Sequence, residues 1–330
     1  MQLTFFSCIS IIIHRTLLCY YYTFIFFSVK IGLRGSPETE LNTLNRQKIA
    51  ILTDSCCDVP PKQAMEQGFF VLPLRILGED GEFLDGVDIF ASDIYRRLET
   101  GEALKTSLPS GLAVEKTLDH IKEQGYEKVI ALMLSTGLSG TCNLLRVTAA
   151  ARDDLEIAVF DSNSGSLGVG MMIFQLLEDI ENGMDWEELT TRRVPQLIAN
   201  TFPFFSVETL EYLQKGGRIG LVTAMAGTML NIKPILTFAE DGQLKNVAKV
   251  RGMKQVQDKY IEMLSAIKGE HKRFNLAVAH GAAPEHMDVL RKRMEETFPG
   301  YDHFWQGEIG ATLSVYIGPG ILGAAITLLD

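Results

Sequence analysis

From residue 48 onward, short apolar runs that favour β-strands alternate with amphipathic stretches that favour helices. Residues 48–55 form a β-branched run that ends in turn residues, and a proline-initiated helix is predicted at 60–67. Two further strands are predicted at 128–134 and 155–160, on either side of a helix at 140–152. Strands that alternate with helices at this spacing predict a parallel sheet with helices on both of its faces.

The remaining elements of the first half are predicted from local signals. A second apolar run at 69–77 indicates another strand. An acidic turn follows it, and Ser92 is the expected N-cap of the next helix because serine is a favoured N-cap residue. The helix after that is predicted at 111–124. We place these elements in an α/β domain that spans residues 48–160.

The second half of the chain carries mixed signals. Two long helical stretches at 166–182 and 186–199 are predicted to bridge the two halves. Apolar runs then flank the turn Asp241–Gly242, which is typical of a β-hairpin. Together with a helix at 284–298, these segments predict a larger mixed sheet with helices packed on it, in a second α/β domain at 161–330.

The first 47 residues differ from the rest. Residues 1–30 are almost wholly apolar and aromatic, yet they lack the positive start and the small cleavage-site residues of a signal peptide. The uncharged run at 16–29 has 14 residues, fewer than the roughly 18–20 that cross a bilayer. We interpret residues 1–30 as a spurious upstream extension outside the fold, with a membrane anchor as the alternative, and 35–47 as a polar linker or tail.

Charge and motif content exclude several classes of function. The formal net charge of −10 opposes binding to nucleic acid, because an acidic protein repels phosphate backbones. The six histidines are scattered and no HExxH motif occurs, which argues against a metal site. No phosphate loop or ordered dinucleotide fingerprint indicates a cofactor. Five cysteines without a CxxC pair suit a reducing cytosol, so we expect a cytoplasmic protein.

Three clusters of hydroxyl side chains follow extended segments, at 53–55, 106–110 and 135–141. Each is predicted to open a helix, at the carboxyl end of the sheet where open α/β folds bind ligands. The hydroxyls of Thr106 and Ser139, beside free helix N–H groups, would suit a carboxylate or a phosphate. The alternative is that all three clusters are N-caps. We favour capping for 53–55, whereas the other two clusters fit either role.

Taken together, these segments resemble the DegV family of bacterial fatty-acid-binding proteins. The resemblance covers residues 48–330 and implies a two-domain α/β fold with a tunnel for one acyl chain between the domains. It also implies a non-catalytic carrier that presents a long-chain fatty acid to a separate fatty acid kinase, which feeds phospholipid synthesis. Peripheral contact with a membrane is compatible with such a carrier. The matching segments are ILTDSCCDVP, KTSLPSG, LSTGLSGT, FDSNSGSLGVG, ETLEYLQKGGRIG, LNIKPIL, KVRG and GPGILG.

The resemblance also assigns roles to individual residues. The family usually has histidine two residues before the closing GPG, where this chain has Tyr316. A phenol still donates one hydrogen bond, but it does not become cationic near neutral pH as histidine does. Arg218 matches an exposed basic position for kinase docking, or is a solvated surface residue, and His280 either supports the site or ends a strand. The residues assigned to the carboxylate are Thr106, Ser107, Ser139, Gly140, Tyr316 and His280.

Two other classes of function stay open from the sequence. The first is a lipid hydrolase or phosphotransferase with Ser139 as nucleophile. It needs a base, and no histidine or aspartate lies within ten residues of that serine. The second is a lipid-sensing interaction module whose output is the binding of a partner protein.

Overall fold

The computed structural model of this protein describes residues 44–225 and 232–330. Its fold is built around two large β-sheets. One is a four-stranded parallel sheet, the other a six-stranded mixed sheet, and a small three-stranded antiparallel sheet accompanies them. The strands in chain order are β1 (Ile49–Asp54), β2 (Phe70–Leu72), β3 (Arg75–Gly78), β4 (Gly81–Leu84), β5 (Lys105–Ser107), β6 (Lys128–Met133), β7 (Glu156–Asp161), β8 (Thr201–Ser206), β9 (Ile232–Phe238), β10 (Leu244–Arg251), β11 (Phe274–Gly281), β12 (Phe304–Glu308) and β13 (Ile321–Leu328).

The helices lie between these strands much as the sequence predicts. A π-helical turn at Leu189–Arg193 joins two short segments, so the stretch from Trp186 to Ala199 is helical throughout. The α-helices in chain order are α1 (Pro61–Glu66), α2 (Ala91–Glu99), α3 (Gly111–Glu123), α4 (Thr141–Ala150), α5 (Leu167–Glu181), α6 (Trp186–Glu188), α7 (Val194–Ala199), α8 (Glu211–Lys215), α9 (Gly252–Lys268), α10 (Pro284–Thr297) and α11 (Ala311–Ile317).

The parallel sheet has the strand order β2–β1–β6–β7 and is covered on both faces, as predicted. Every residue of β1 is buried. Ile49 and Ile51 pack on one face against residues of α5, whereas Ala50 and Leu52 pack on the other against residues of α3 and α4. This alternation follows from the two-residue period of a strand. Because both faces are buried, the strand is a continuous apolar run.

The mixed sheet has the strand order β10–β9–β8–β13–β11–β12. Its β9–β10 hairpin turns at Asp241–Gly242, where the predicted turn is confirmed. Neighbouring residues of β13 separate its two faces. On one face, Ala324 belongs to a group of buried apolar side chains that includes residues of α9 and α10. On the other face, Ala325 belongs to a second such group, which includes residues of α11. The α/β class with a parallel and a larger mixed sheet is therefore as predicted.

The predicted single strand at 69–77 is wrong. Pro73 divides it into β2, which joins the parallel sheet, and β3, which pairs with β4 and β5 in the three-stranded sheet. Proline has no N–H group for a sheet ladder, so it is a natural end for a strand. One apolar run thus contributes to two different sheets.

Ser92 is not the N-cap of α2. The helix begins at Ala91, and Phe90 occupies the N-cap position. The Asp93 carboxylate accepts the Phe90 N–H at 3.1 Å, so an acid in the first turn satisfies the helix start instead of a serine hydroxyl. In the cluster at 53–55, for which capping was favoured, Asp54 accepts the N–H of Cys56 at 3.0 Å. In the cluster at 106–110, for which capping and ligand binding were both open, Ser110 accepts the N–H of Ala113 at 3.1 Å.

Residues 44–330 form one compact unit. Residues 44–47 belong to this unit, and Gln47 Nε2 donates to the carbonyl oxygen of Met184 at 2.7 Å. The interpretation of the first 30 residues concerns a segment outside the described residues. The predicted boundary between residues 160 and 161 stays a prediction. No helix in 44–225 and 232–330 combines the length and hydropathy that a membrane span requires.

Candidate functional site

A cavity of about 290 Å³ lies beside the mixed sheet. Strands β8, β11 and β13 provide one wall, where small side chains such as Ala277 and Ala325 leave the space open. Helix α11, the segments that follow β6 and β7, and residues in or near β5, α8 and the β9–β10 hairpin complete the lining. Most of the lining side chains are apolar, and a few polar groups are interspersed among them. A cavity of this composition suits a ligand with a long apolar part and a small polar end.

Hydroxyl groups from distant parts of the chain line this one cavity. Thr106 and Ser107 come from β5, Ser139 from the loop after β6, and Tyr316 from α11. The Thr106 and Tyr316 hydroxyl oxygens are 2.5 Å apart, although the residues are separated by 210 positions. The fold therefore assembles hydroxyl donors on the border of an apolar space. Such groups can donate hydrogen bonds to an oxyanion.

Thr106 does not open a helix, contrary to the sequence prediction. It lies within β5, where it pairs with Ile76 of β3. Helix α3 begins only at Gly111, and Ser110 caps it. Thr106 lines the cavity from β5, which is an edge strand of the three-stranded sheet. The helix N–H groups that the sequence suggested as its neighbours belong to α3, which begins five residues later.

Arg75 holds the segment that carries Ser107. Its Nη2 donates to the Ser107 hydroxyl at 2.9 Å and its Nε donates to the carbonyl oxygen of Leu108 at 2.7 Å. Nη1 of the same guanidinium pairs with Glu82 at 3.2 Å. Sequence reasoning missed this residue, because its partners lie 32 and 33 positions away and no local pattern marks it.

Ser139 lies in the turn just before α4. Its hydroxyl oxygen is 2.9 Å from that of Thr141 and accepts the Thr141 N–H at 3.3 Å. No histidine or acidic side chain among the described residues is hydrogen-bonded to it. Gly140, at the N-cap position of α4, is not among the described residues that line the cavity. The Ser139 hydroxyl therefore lies in the lining of the cavity, and no base neighbours it among the described residues.

His280 is the second-last residue of β11. It is half-buried, and its Nδ1 accepts the N–H of Ala283 at 3.3 Å. In this hydrogen bond Nδ1 carries no proton. Burial lowers the pKa of its imidazole, which favours the neutral form of the ring. It does not belong to the described lining of the cavity. This geometry matches the interpretation of His280 as a residue that ends a strand.

Arg218 follows the turn after α8 and lines the cavity. Its guanidinium carbon lies 4.9 Å from the ring centroid of Tyr316. The ring is packed closely on this turn, because a Cβ atom added to Gly216 would lie 2.2 Å from the Tyr316 Cδ1 atom. Arg218 is therefore not an isolated solvated side chain. Its role in docking a partner stays a prediction.

Two acids hold the start of α11, which carries Tyr316. Asp85 accepts the N–H groups of Ala311 and Thr312, at 3.1 and 3.2 Å. Asp58 accepts the N–H of Gly310 at 2.9 Å. These bonds satisfy donors that a helix start leaves without partners. Desolvation on burial raises the pKa of both carboxyl groups, that of Asp58 to about 8.

A third buried acid makes the stability of the fold depend on pH. Desolvation raises the pKa of Asp54 to about 6, although the N–H groups of Leu134 and Cys56 favour its ionised form. In the unfolded chain an aspartate has a pKa of about 3.9. The folded protein therefore binds more protons between these values, so the contribution of Asp54 is greatest below about pH 4 and is lost as pH rises through about 6.

We expect Asp54→Asn to reduce the pH dependence of the unfolding free energy in that window. One carboxyl contributes a slope of at most about 1.4 kcal/mol per pH unit. Urea denaturation at a series of pH values measures the slope. Asp153→Asn, which alters an exposed aspartate, is the matched control and should keep the slope of the natural protein. An equal slope in Asp54→Asn and the natural protein would contradict the prediction.

Comparisons with known proteins agree on one family. A family model described as "Uncharacterised protein, DegV family" matches residues 48–328. A DegV domain-containing protein of Clostridium acetobutylicum is 35% identical over 280 residues, which cover 85% of this chain and 99% of that protein.

Solved structures give the same result. A DegV family protein from Thermus thermophilus, described for its fatty acid binding, superposes with a TM-score of 0.80 at 29% identity, over 85% of this chain and 99% of that one. A stearic acid-binding protein from Eubacterium ventriosum superposes with a TM-score of 0.75 at 25% identity, over 84% of this chain and 97% of that one.

Proposed function

Since this chain belongs to the DegV family, we propose that it binds one long-chain fatty acid in the cavity without catalysing a reaction. The carboxylate is held by the hydroxyl groups of Thr106, Ser107, Ser139 and Tyr316, and the acyl chain extends along the apolar lining as in a tunnel. The bound acid is presented to a separate fatty acid kinase in the cytoplasm, for use in phospholipid synthesis.

One observation carries the proposal: hydroxyl groups from three distant segments line the same apolar cavity. The distance of 2.5 Å between the Thr106 and Tyr316 hydroxyls shows how closely two of these segments approach. The relatives from Thermus thermophilus and Eubacterium ventriosum, described as binding fatty acids, support the same ligand class.

The expected energetics divide the ligand into two parts. Each buried methylene group contributes about 0.8 kcal/mol, so a 16-carbon chain gains on the order of 12 kcal/mol before the costs of ordering it. The hydroxyl groups add less affinity, but a buried polar group left without a partner costs about 1–3 kcal/mol. The tail therefore provides the affinity, and the hydroxyls fix the register of the chain and select its polar end.

A binding role fits the surroundings of Ser139 better than catalysis does. A nucleophilic serine needs a general base within hydrogen-bonding reach. The described neighbours of its hydroxyl group are the side chain and N–H group of Thr141, and neither can serve as that base. An esterase activity that disappears in Ser139→Ala would favour the enzymatic alternative over the carrier.

Mass spectrometry tests the carrier directly. We expect the full chain, expressed in bacteria and purified, to release a long-chain fatty acid in about one-to-one ratio on extraction. A well-folded preparation that carries no fatty acid and takes none up would overturn the proposal. Presentation to a kinase is tested separately, by adding a fatty acid kinase catalytic subunit with ATP and detecting acyl phosphate made from the bound acid.

We expect Thr106→Val to weaken fatty acid binding by about fivefold, because it removes one hydrogen bond worth about 1 kcal/mol and keeps the shape of the side chain. Competition with a fluorescent fatty acid measures the dissociation constant. Thr117→Val is the matched control, since the Thr117 hydroxyl donates to the carbonyl oxygen of Ala113 within α3. Equal affinities of the two variants would exclude Thr106 from the carboxylate site.

A further inference from the structure

Asp58 ties two walls of the cavity together. Its Oδ1 accepts the N–H of Gly310 at 2.9 Å, directly before α11, and its Oδ2 is hydrogen-bonded to the hydroxyl of Ser166, directly before α5. Ser166 lines the cavity, and so do Thr312 and Tyr316 of α11. One carboxyl group, which does not itself belong to the described lining, therefore connects the segment before α5 to the helix that carries Tyr316.

The bond between Asp58 and Ser166 holds an unfavourable backbone conformation on the cavity wall. Ser166 has φ +57° and ψ −148°, a region that residues other than glycine rarely adopt. The N–H of Ser166 also donates to the carbonyl oxygen of Cys56 at 2.7 Å. Such conformations persist only where neighbouring contacts enforce them, and they are concentrated at ligand-binding and switching sites. The strain at Ser166 therefore marks this tie as a functional element of the wall.

No positive charge in the described part of the chain offsets an ionised Asp58, since no lysine, arginine or histidine there forms an ion pair with it. Asp85 lies close by, because a Cβ atom added to Gly310 would lie 3.1 Å from Asp58 Oδ1 and 3.8 Å from Asp85 Oδ1. Desolvation raises the pKa of Asp58 to about 8, although its bonds with Ser166 and Gly310 lower it. Asp58 is therefore largely protonated at neutral pH and ionises between about pH 7 and pH 9.

Six other titratable groups surround Asp58 or adjoin the segments that it ties. They are Asp54, Cys56 and Cys57 of its own segment, Asp85 and Tyr95 before and within α2, and Glu308 of β12. Burial raises the pKa of the two thiols and of the phenol above their usual range, so these three stay neutral near pH 8. The pKa of Asp54, about 6, lies below the window. Desolvation also raises the pKa of Asp85 and Glu308, so a variant of Asp58 itself has to identify the group.

We propose that Asp58 is a positioning residue that ties these two walls of the cavity and takes up a proton when a fatty acid binds. The inference rests on the proposed fatty-acid function and adds a regulation of it. A bound acyl chain displaces water from the wall at Ser166, and its carboxylate brings a negative charge into the cavity. Both effects favour the protonated form of Asp58. Because the loaded protein then holds the proton more tightly than the empty one, the affinity for fatty acid falls as pH rises through about 8.

The affinity for a long-chain fatty acid, measured as a function of pH, tests the coupling. We expect the dissociation constant of the natural protein to rise about fivefold between about pH 7 and pH 9, since one linked proton changes it by at most about tenfold per pH unit. The free ligand keeps its charge over this range, because an aliphatic carboxyl in water has a pKa of about 4.3. Asp153→Asn, which alters an exposed aspartate, is the control and should match the natural protein.

Asp58→Asn imitates the protonated carboxyl. The amide oxygen still accepts the N–H of Gly310, the amide nitrogen donates to the Ser166 hydroxyl, and asparagine suits the left-handed backbone at this position, where φ is +62°. Its dissociation constant should therefore stay constant over the same pH range. Calorimetry in buffers of different ionisation enthalpy should detect proton uptake on binding at about pH 8 by the natural protein and none by Asp58→Asn.

The outcomes separate this inference from the function on which it rests. A pH dependence that persists unchanged in Asp58→Asn belongs to another group and overturns the inference, as does a constant affinity in the natural protein. If Asp58→Asn does not fold, Ser166→Gly serves instead, because glycine readily adopts the backbone conformation of Ser166. This variant removes a bond that lowers the pKa of Asp58, so the fall in affinity should move to higher pH, and an unmoved fall contradicts the inference. A natural protein that binds no fatty acid at any pH overturns the proposed function itself.

Discussion

Replacing Ala325 with phenylalanine is expected to abolish most fatty acid binding while the protein stays folded. Ala325 lies in β13, is 5% exposed and lines the cavity, next to Ala277 of β11 and Pro203 of β8. A phenylalanine ring at this position would occupy space that the acyl chain needs. If the ring displaces about four methylene groups, each worth about 0.8 kcal/mol, the loss is about 3 kcal/mol, or about 100-fold in affinity.

The size of the new side chain is the internal control for this prediction. Ala325→Val fills less of the cavity and should weaken binding by less than the phenylalanine variant. Ala151→Phe places the same ring on the surface after α4 and should leave binding unchanged. Calorimetry gives the dissociation constants, and thermal unfolding verifies that each variant folds. A folded Ala325→Phe variant with undiminished affinity would show that the acyl chain lies elsewhere.

The parallel sheet could be predicted because its signal is local. Each strand is a short apolar run, and the burial of β1 on both faces requires such a run. The three-stranded sheet could not be predicted, because its strands have only three or four residues and β4 is largely exposed. A strand of that length carries no period that distinguishes it from a loop. The position of Pro73 was the available signal for the break between β2 and β3.

Part of the cavity lining could be predicted, but its geometry could not, and Gly140 and His280, which were also assigned to the carboxylate, are not in the described lining. The hydroxyl clusters and the family resemblance pointed to Thr106, Ser107, Ser139 and Tyr316, and all four line one cavity. Local chemistry could not distinguish a hydroxyl that caps a helix from one that faces a ligand. Ser110 caps α3, whereas Thr106, four residues earlier, faces Tyr316. That difference depends on contacts across 210 residues, which no sequence window contains.

The loop that carries Ser139 also depends on a contact between distant parts of the chain, across 107 positions. Ser135 donates its hydroxyl to the carbonyl oxygen of Gly242 at 2.8 Å, in the turn of the β9–β10 hairpin. A Cβ atom added to Gly137 would lie 2.1 Å from the carbonyl carbon of Gly242 and 2.5 Å from the amide nitrogen of Gln243. Both are backbone atoms, so no flexible side chain can move aside. The loop and the hairpin turn therefore fit together only while residue 137 is glycine.

We expect Gly137→Ala to destabilise the protein by about 3 kcal/mol or more, because overpacking against backbone costs at least as much as the usual 1–3 kcal/mol. The affinity for fatty acid should also fall, because the loop must move away from the hairpin turn and Ser139, which lies in the same loop, moves with it. Gly111→Ala is the matched control. Its new Cβ meets no atom within 4 Å, and alanine is the better helix former, so its stability should equal or exceed that of the natural protein. Urea denaturation measures both variants, and equal stabilities would mean that the loop does not pack on the hairpin turn.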